Sequence, residues 1–334
     1  MSGNSELSIC TVSFKSATCL GLNYKLTEIL NPSASVRWIV AENTPSVSKA
    51  ESVQEDGRFH VIEGAVFPEN QYAEASYHHA AAMNKTLQQV HTRFLLVLDP
   101  DFYIVRHNWI EDVIEHMITN GLSFFGAPWH PSTFKKWRYF PCVHCMFIDL
   151  ERVPRGTLDF LPDFPTVPGY KLGRKHHPGM LNRAGRIILG ILDPLKFRRR
   201  RHIGTSRDTS WRIYERYHAD TLHKSECIQP VYYDPREDWQ SYADFILPER
   251  YSLVPKKKGY FVETGFREYG LPDFDTMQCQ EFMWRNQPFG MHIRTNPKTA
   301  RGQSINTQLE AIDRLVSSLQ QEQAAAGTIP LIEP

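Results

Sequence analysis

An α/β fold built on a largely parallel sheet is what the first hundred residues predict, on three observations. Short β-rich runs alternate with helical patterns, the arrangement expected of parallel strands joined by crossovers. Residues 94–98 (FLLVL) are five apolar residues in a row, as suits a central strand covered on both faces. Residues 73–90 place Tyr77, Ala80, Met83, Leu87 and Val90 at steps of three and four, the spacing of a helix with one buried face. At 334 residues the chain is about twice the usual domain length, which predicts two lobes or one large domain with a lid.

Residues 7–14 (LSICTVSF) read as the first strand. Leu22, Leu26, Ile29 and Leu30 then recur at helical spacing until Asn31-Pro32 stops the helix. Residues 36–41 (VRWIVA) and 59–62 (FHVI) read as the second and third strands, and 94–98 as the fourth. Asn108 followed by Glu111 has the form of a capping arrangement for a helix that buries Trp109, Val113 and Met117 alongside Ile110, Ile114 and Ile118. Gly121 stands just past its end. Beyond it the pattern loosens into FFGAPW, a strand-like CVHCMFI ending at Asp149, and a stretch rich in Pro, Gly and basic residues to about residue 204. A connection of that length is usually functional or mobile. Ile305, Leu309, Ile312, Val316 and Leu319 form the seam of a C-terminal amphipathic helix.

Composition narrows the function classes. Hydrophobic residues at 41% and charged residues at 22% exclude a mainly disordered or fibrous chain. Lys+Arg 38 against Asp+Glu 37 leaves a net charge of +1, so no overall field recruits nucleic acid. No apolar run approaches the roughly 20 residues of a membrane-spanning helix, and the polar start lacks the pattern of a secretory leader. The expected location is the cytoplasm, with peripheral contact at the inner face of a membrane as an extension. Six scattered cysteines are expected to be reduced.

Asp99 and Asp101 carry the most chemistry, because they stand where the buried fourth strand emerges. Ligands of open α/β sheets collect outside the carboxyl ends of the strands. Two adjacent carboxylates repel unless a cation lies between them, and hard cations favour carboxylates together with phosphate oxygens. A strand-end Asp-x-Asp therefore reads as a site for a metal-bound diphosphate, although Asp-Pro-Asp is also a turn-forming sequence.

These segments together resemble a GT-A fold glycosyltransferase, most similar to the family 2, rhamnosyltransferase-like enzymes. SICTVSFKS resembles the family's first strand and loop, WIVAENTP its second strand, and HHAAAMNKTLQQVHTRFLLVLDPDF its helix, strand and Asp-x-Asp unit. The likeness covers about the first 120 residues. It implies a Rossmann-like mixed sheet flanked by helices, with an acceptor-side lid. It also implies that Thr11 and Ser13 lie against the nucleotide, that Glu42 contacts base or ribose, and that Asn84 lies near the nucleotide sugar. Asp99 would contact ribose or the metal, and Asp101 would bind the divalent cation, Mn²⁺ or Mg²⁺.

Downstream, DTSWR (208–212) resembles the end of the family's Glu-Asp-Val-Asp-Leu-Ser-Trp-Arg segment, with Thr205-Ser206 replacing its Glu-Asp. Asp208, the surviving carboxylate, reads either as the general base or as a helix N-terminal Asp stabilised by the macrodipole. His292 in PFGMHIR resembles a late His that reaches the metal or the diphosphate; the alternative is a structural histidine. Cys142 and Cys145 flank His144, but a lone CxxC does not make a zinc site, so buried thiols on a strand are the expectation. His78-His79 and His176-His177 are adjacent pairs that cannot chelate through their own geometry and are read as surface or loop polarity. Arg198 to Arg201, next to RIILGIL, reads as a solvated loop or as a flap for membrane headgroups or a phosphate-bearing acceptor. Trp129, Trp137 and Tyr139 read as sugar-stacking or core.

The expected organisation is a nucleotide-sugar-binding half over 1–115, an acceptor half over 116–300 with a basic insertion at about 151–204, and a C-terminal helix and tail over 301–334. The expected activity is metal-dependent transfer of a sugar, hexosyltransferase-like and inverting by the likeness. The donor is a nucleotide-diphosphate sugar, and the acceptor is a hydroxyl of a glycan or lipid-linked molecule in polysaccharide biosynthesis. Alternatives are a sugar-phosphate nucleotidyltransferase and a non-catalytic nucleotide or sugar binder.

Overall fold

A computed structural model describes residues 6–45, 51–65, 75–130, 138–163, 207–232, 261–272, 274, 277, 279–293 and 305–327. Trp137, His176-His177, Thr205-Ser206, RIILGIL, the arginine run and the insertion beyond residue 163 lie outside them.

In chain order the elements are β1 (Glu6–Ser13), α1 (Ala17–Leu30), β2 (Ser35–Glu42), β3 (Phe59–Glu63), α2 (Ala75–Thr86), β4 (Phe94–Leu98), β5 (Phe102–Ile104), α3 (Trp109–Asn120), β6 (Leu122–Gly126) and β7 (Cys145–Asp149). They continue with α4 (Trp211–Tyr217), β8 (Lys224–Cys227), β9 (Gln229–Pro230), β10 (Gln280–Trp284), β11 (Gln287–His292) and α5 (Ile305–Gly327). The expected α/β class, a mixed sheet flanked by helices, is what the strands form. Seven of them run in the order β3-β2-β1-β4-β7-β6-β8, with β7 antiparallel to both neighbours and the other pairs parallel. The sheet extends on both sides of residue 115, which lies inside α3.

β4 is buried at every position, as its uninterrupted apolar run predicts. Side chains alternate across a strand, so Phe94, Leu96 and Leu98 enter the core on one face while Leu95 and Val97 enter the core on the other. The first core includes α1, α3 and α5; the second includes α2 and α4. In α5, Ile312 and Val316 of the expected seam are buried, with Leu309 and Leu319 partly buried and Ala311 and Leu315 widening the stripe, and Gln323 Nε2 donates to Ile29 O at 2.6 Å, tying α5 to α1.

Three local expectations need correction. Asn108 does not cap α3 with its side chain: it sits at φ 52, and its backbone N–H donates to Leu30 O at 2.8 Å. Ile118 is 48% exposed, so the apolar stripe of α3 narrows before the helix ends at Gly121, whose left-handed φ of 63 fits the predicted C-terminal glycine. The strand expected over CVHCMFI begins only at Cys145, because Val143 and His144 form a turn closed by Cys145 N–H to Cys142 O at 3.2 Å.

A second sheet, β5-β11-β10-β9, is antiparallel throughout. Its β10–β11 hairpin turns on Arg285-Asn286, both left-handed at φ 52 and 57, the conformation of a two-residue hairpin loop. β5 leaves β4 immediately after Asp101 and pairs with β11 so that Phe102 stands opposite His292. The packing is close: a Cβ at Gly290 would lie 2.8 Å from the Phe102 ring and 2.9 Å from Tyr103 O, so a larger residue there would push β11 off β5.

Candidate functional site

Backbone hydrogen bonds join three distant segments at the carboxyl end of β4. Asp99 N–H donates to His144 O at 3.0 Å, and Ile293 N–H donates to Asp101 O at 2.9 Å. Between them, Phe102 N–H donates to Asp99 O at 3.0 Å, closing the Asp-Pro-Asp turn, and Asn23 Nδ2 from α1 holds Pro100 O at 2.8 Å. The turn is thus fixed by groups from β5, α1, β11 and the 142–145 turn.

The side chains then meet. Asp101 Oδ1 lies 3.3 Å from His292 Nε2, and Asp99 Oδ2 lies 3.6 Å from His144 Nε2. The His144 and His292 rings stack at 4.0 Å with 25° between planes, and Trp129 sets its ring edge-on to His144 at 4.3 Å. One ligand atom each from Asp99, His144 and His292 lies within 4.8 Å of the others. His292 Nδ1 lies 3.2 Å from Gln280 Oε1. An amide oxygen accepts, so this contact places the Nδ1 proton toward Gln280 and leaves Nε2, which faces Asp101, as the nitrogen a metal would take.

The donor set fits a divalent cation. The two aspartate side chains of one turn keep only 16% and 21% of their surface exposed, and carboxylates this dry favour a bound cation. Asp99 Oδ1 is buried, and among the described residues it meets His79 Nε2, at 3.4 Å. Oxygen with imidazole nitrogen suits Mn²⁺ and its first-row neighbours better than Mg²⁺, which prefers oxygen throughout.

Two members of this cluster escaped the sequence reading. His144 was expected to be a strand residue between buried thiols; the thiols of Cys142 and Cys145 are buried and unbridged, but the turn carries the imidazole to Asp99. His79 was read as helix-surface polarity, yet it faces inward from α2 onto Asp99. Burial opposes its charge, but the hydrogen bond and charge of Asp99, with Asp208 and Asp101 beyond, outweigh burial and raise its pKa. Nothing in the residue types marks His79 or His144; only their tertiary partners do.

The remaining predicted residues are placed as follows. Thr11 and Ser13 are fully buried on the face of β1 shared with Leu7 and Ile9, and their hydroxyls have no hydrogen-bond partner among the described residues. Glu42 ends β2 and braces the loop after it, accepting from Thr44 N–H at 2.7 Å and Val53 N–H at 2.6 Å. Asn84 spends its amide on the chain near residue 160: Nδ2 donates to Asp159 at 3.0 Å and Oδ1 accepts from Phe160 N–H at 3.0 Å. Asp208 is buried before α4, accepts Thr209 N–H at 2.9 Å, and acts electrostatically on His79. The structure therefore groups Asp99 with His144 and His292, sets Asp101 against His292, places Asp208 where its charge acts on His79, and gives Glu42 and Asn84 structural bonds. Trp129 packs on the cluster through His144, while Tyr139 is 37% exposed.

No protein-family model matches the sequence, and no curated protein matches it significantly. Among solved structures, the mannosyltransferase PcManGT from Pyrobaculum calidifontis, in complex with GDP-Man and Mn²⁺, is 9% identical over 46% of this chain and 47% of its own, at a TM-score of 0.33. TarS of S. aureus is 12% identical over 46% of this chain and 30% of its own, at 0.33. The galactosyltransferase LgtC, with donor and acceptor sugar analogues, is 14% identical over 43% and 58%, at 0.30. The chain spans between about a third and three fifths of the length of these proteins.

Proposed function

We propose that the protein is a metal-dependent glycosyltransferase that moves a sugar from a nucleotide-diphosphate donor to a hydroxyl of a glycan or lipid-linked acceptor. One observation carries the reading: β11 delivers His292 to 3.3 Å from Asp101, at the end of the central strand where α/β sheets collect their ligands. Asp99, Asp101, His144 and His292 would hold a divalent cation, Mn²⁺ fitting the mixed donors best. Such a cation neutralises negative charge developing on a departing diphosphate.

The chain's own groups supply the rest. Gln280 orients His292 through its amide oxygen, and the Asn23 bond to Pro100 O holds the turn that carries both aspartates. His79 faces Asp99 from α2, its Nε2 3.4 Å from Asp99 Oδ1, and so closes the inner side of that carboxylate. Asp208, buried just before α4, is our candidate for the group that takes the acceptor hydroxyl's proton in an inverting attack. Among the described residues no helix is long and apolar enough to cross a membrane, which fits an acceptor met in water or at a membrane surface.

A donor-hydrolysis assay tests the reading. Across a panel of nucleotide-diphosphate sugars, Mn²⁺-dependent release of a nucleoside diphosphate from one of them is expected. Release of pyrophosphate on mixing nucleoside triphosphate with sugar phosphate would assign nucleotidyl transfer instead.

A further inference from the structure

Among the described residues, Arg138 is a buried charge with no carboxylate at ion-pair distance. The residue is 7% exposed, and its Nε and Nη2 are buried without a hydrogen-bond partner among the described residues. Its guanidinium carbon lies 4.9 Å from the Tyr214 ring centroid and 5.2 Å from that of Trp211, so two aromatic faces of α4 hold it. Four other arginines meet a carboxylate: Arg93 with Asp149, Arg106 with Asp112, Arg207 with Asp163 and Arg212 with Asp159. For Arg138 no described carboxylate comes within ion-pair distance, and Asp208 acts on it only through space. Burial accordingly pulls its pKa down. Cation–π contact offsets part of that penalty and supplies none of the missing acceptors. Two further buried donors on the same turn, Ser210 Oγ and Trp211 Nε1, also lack partners among the described residues.

We propose that Arg138 is the counter-charge of a phosphate-binding site beside Asp208. Nε and Nη2 lie along one edge of the guanidinium plane, the edge that takes two oxygens of one oxyanion in a bidentate fork. A phosphate there satisfies both orphaned donors and removes the unpaired charge, with Trp211 and Tyr214 keeping the fork in place. Phosphate binding follows from Arg138 and its surroundings; only the origin of the phosphate rests on the transferase reading. Under that reading it belongs either to the donor diphosphate or to a phosphate on the acceptor.

The test is calorimetric titration of the full chain with inorganic phosphate in the presence of a chelator, paired with thermal unfolding. Wild type is expected to bind phosphate and to gain thermal stability with it. Arg138→Gln should weaken binding at least tenfold and abolish the phosphate-dependent shift, and Arg138→Lys should recover only part, having charge without the fork. Without phosphate, Arg138→Met should unfold no lower than wild type, because it removes an uncompensated buried charge. Phosphate binding unchanged in Arg138→Gln, no binding by wild type, or a large loss of stability in Arg138→Met would each overturn the proposal. A nucleoside diphosphate with Mn²⁺ then separates the two origins: competition with phosphate assigns the site to the donor, and independent binding assigns it to the acceptor. Failure of the donor-hydrolysis assay with phosphate binding intact would reject the transferase reading while leaving this site standing.

Discussion

Asp99 and His144 are joined twice, by a backbone hydrogen bond of 3.0 Å from Asp99 N–H to His144 O and by side chains 3.6 Å apart. The double link makes the 142–145 turn part of the strand-end site. It also sets His144 in one cluster with Asp99 and His292, their ligand atoms within 4.8 Å of one another.

Removing that imidazole should cost metal affinity without unfolding the protein. His144→Ala is expected to weaken Mn²⁺ or Co²⁺ binding by tenfold or more, read by calorimetry or by the Co²⁺ absorption spectrum. Affinity and spectrum identical to wild type would exclude His144 as a ligand.

Gln280 should matter for metal affinity through its bond to His292. Partners that orient a metal-ligating histidine are typically worth 10–100-fold in metal affinity, so Gln280→Leu is expected to fall in that range. Rescue by Gln280→Glu, which restores an acceptor for Nδ1–H, would distinguish orientation from loss of packing.

Asp208→Asn should leave donor affinity unchanged and lower turnover by about two orders of magnitude or more, the scale of a lost general base. Comparing kcat with KM for the acceptor separates this from a binding defect. Turnover at the wild-type level would remove Asp208 from the chemistry.

Acid stability should depend on Asp159. Partial burial opposes ionisation, but Leu161 N–H, the Asn84 amide and Arg212 outweigh it and hold the carboxyl below its usual range. A carboxyl depressed in the folded state contributes stability above its unfolded pKa of about 3.9, and that contribution disappears as pH falls through the folded value. Asp159→Asn should therefore flatten the fall in melting temperature between about pH 5 and pH 3. An unchanged slope would contradict the assignment.

The parallel half of the sheet was legible because each strand there is an apolar run with β-rich composition, and because Asp99 and Asp101 follow the most apolar run of all. The second sheet was not, for a local reason. The β10–β11 turn is built from Arg285-Asn286 without a glycine, so it lacks the usual sequence mark of a two-residue hairpin. His292 was nonetheless identified from its resemblance, whereas His79 and His144 were not, since their partner Asp99 lies 20 and 45 positions away along the chain. Their roles come from a helix face and a turn that pattern reading took for exposed surface and strand. Arg138 illustrates the same limit: a lone arginine in sequence becomes informative only once burial and the absence of a described carboxylate are both visible.

The central claim is that a cation held at the end of β4 receives the donor's diphosphate. Calorimetric titration of a nucleoside diphosphate, with and without Mn²⁺, against wild type and Asp101→Ala tests it most directly. The expected result is tight, Mn²⁺-dependent binding by wild type and loss of that dependence in the variant. Equal affinity in the two proteins, or wild-type binding indifferent to Mn²⁺, would contradict it.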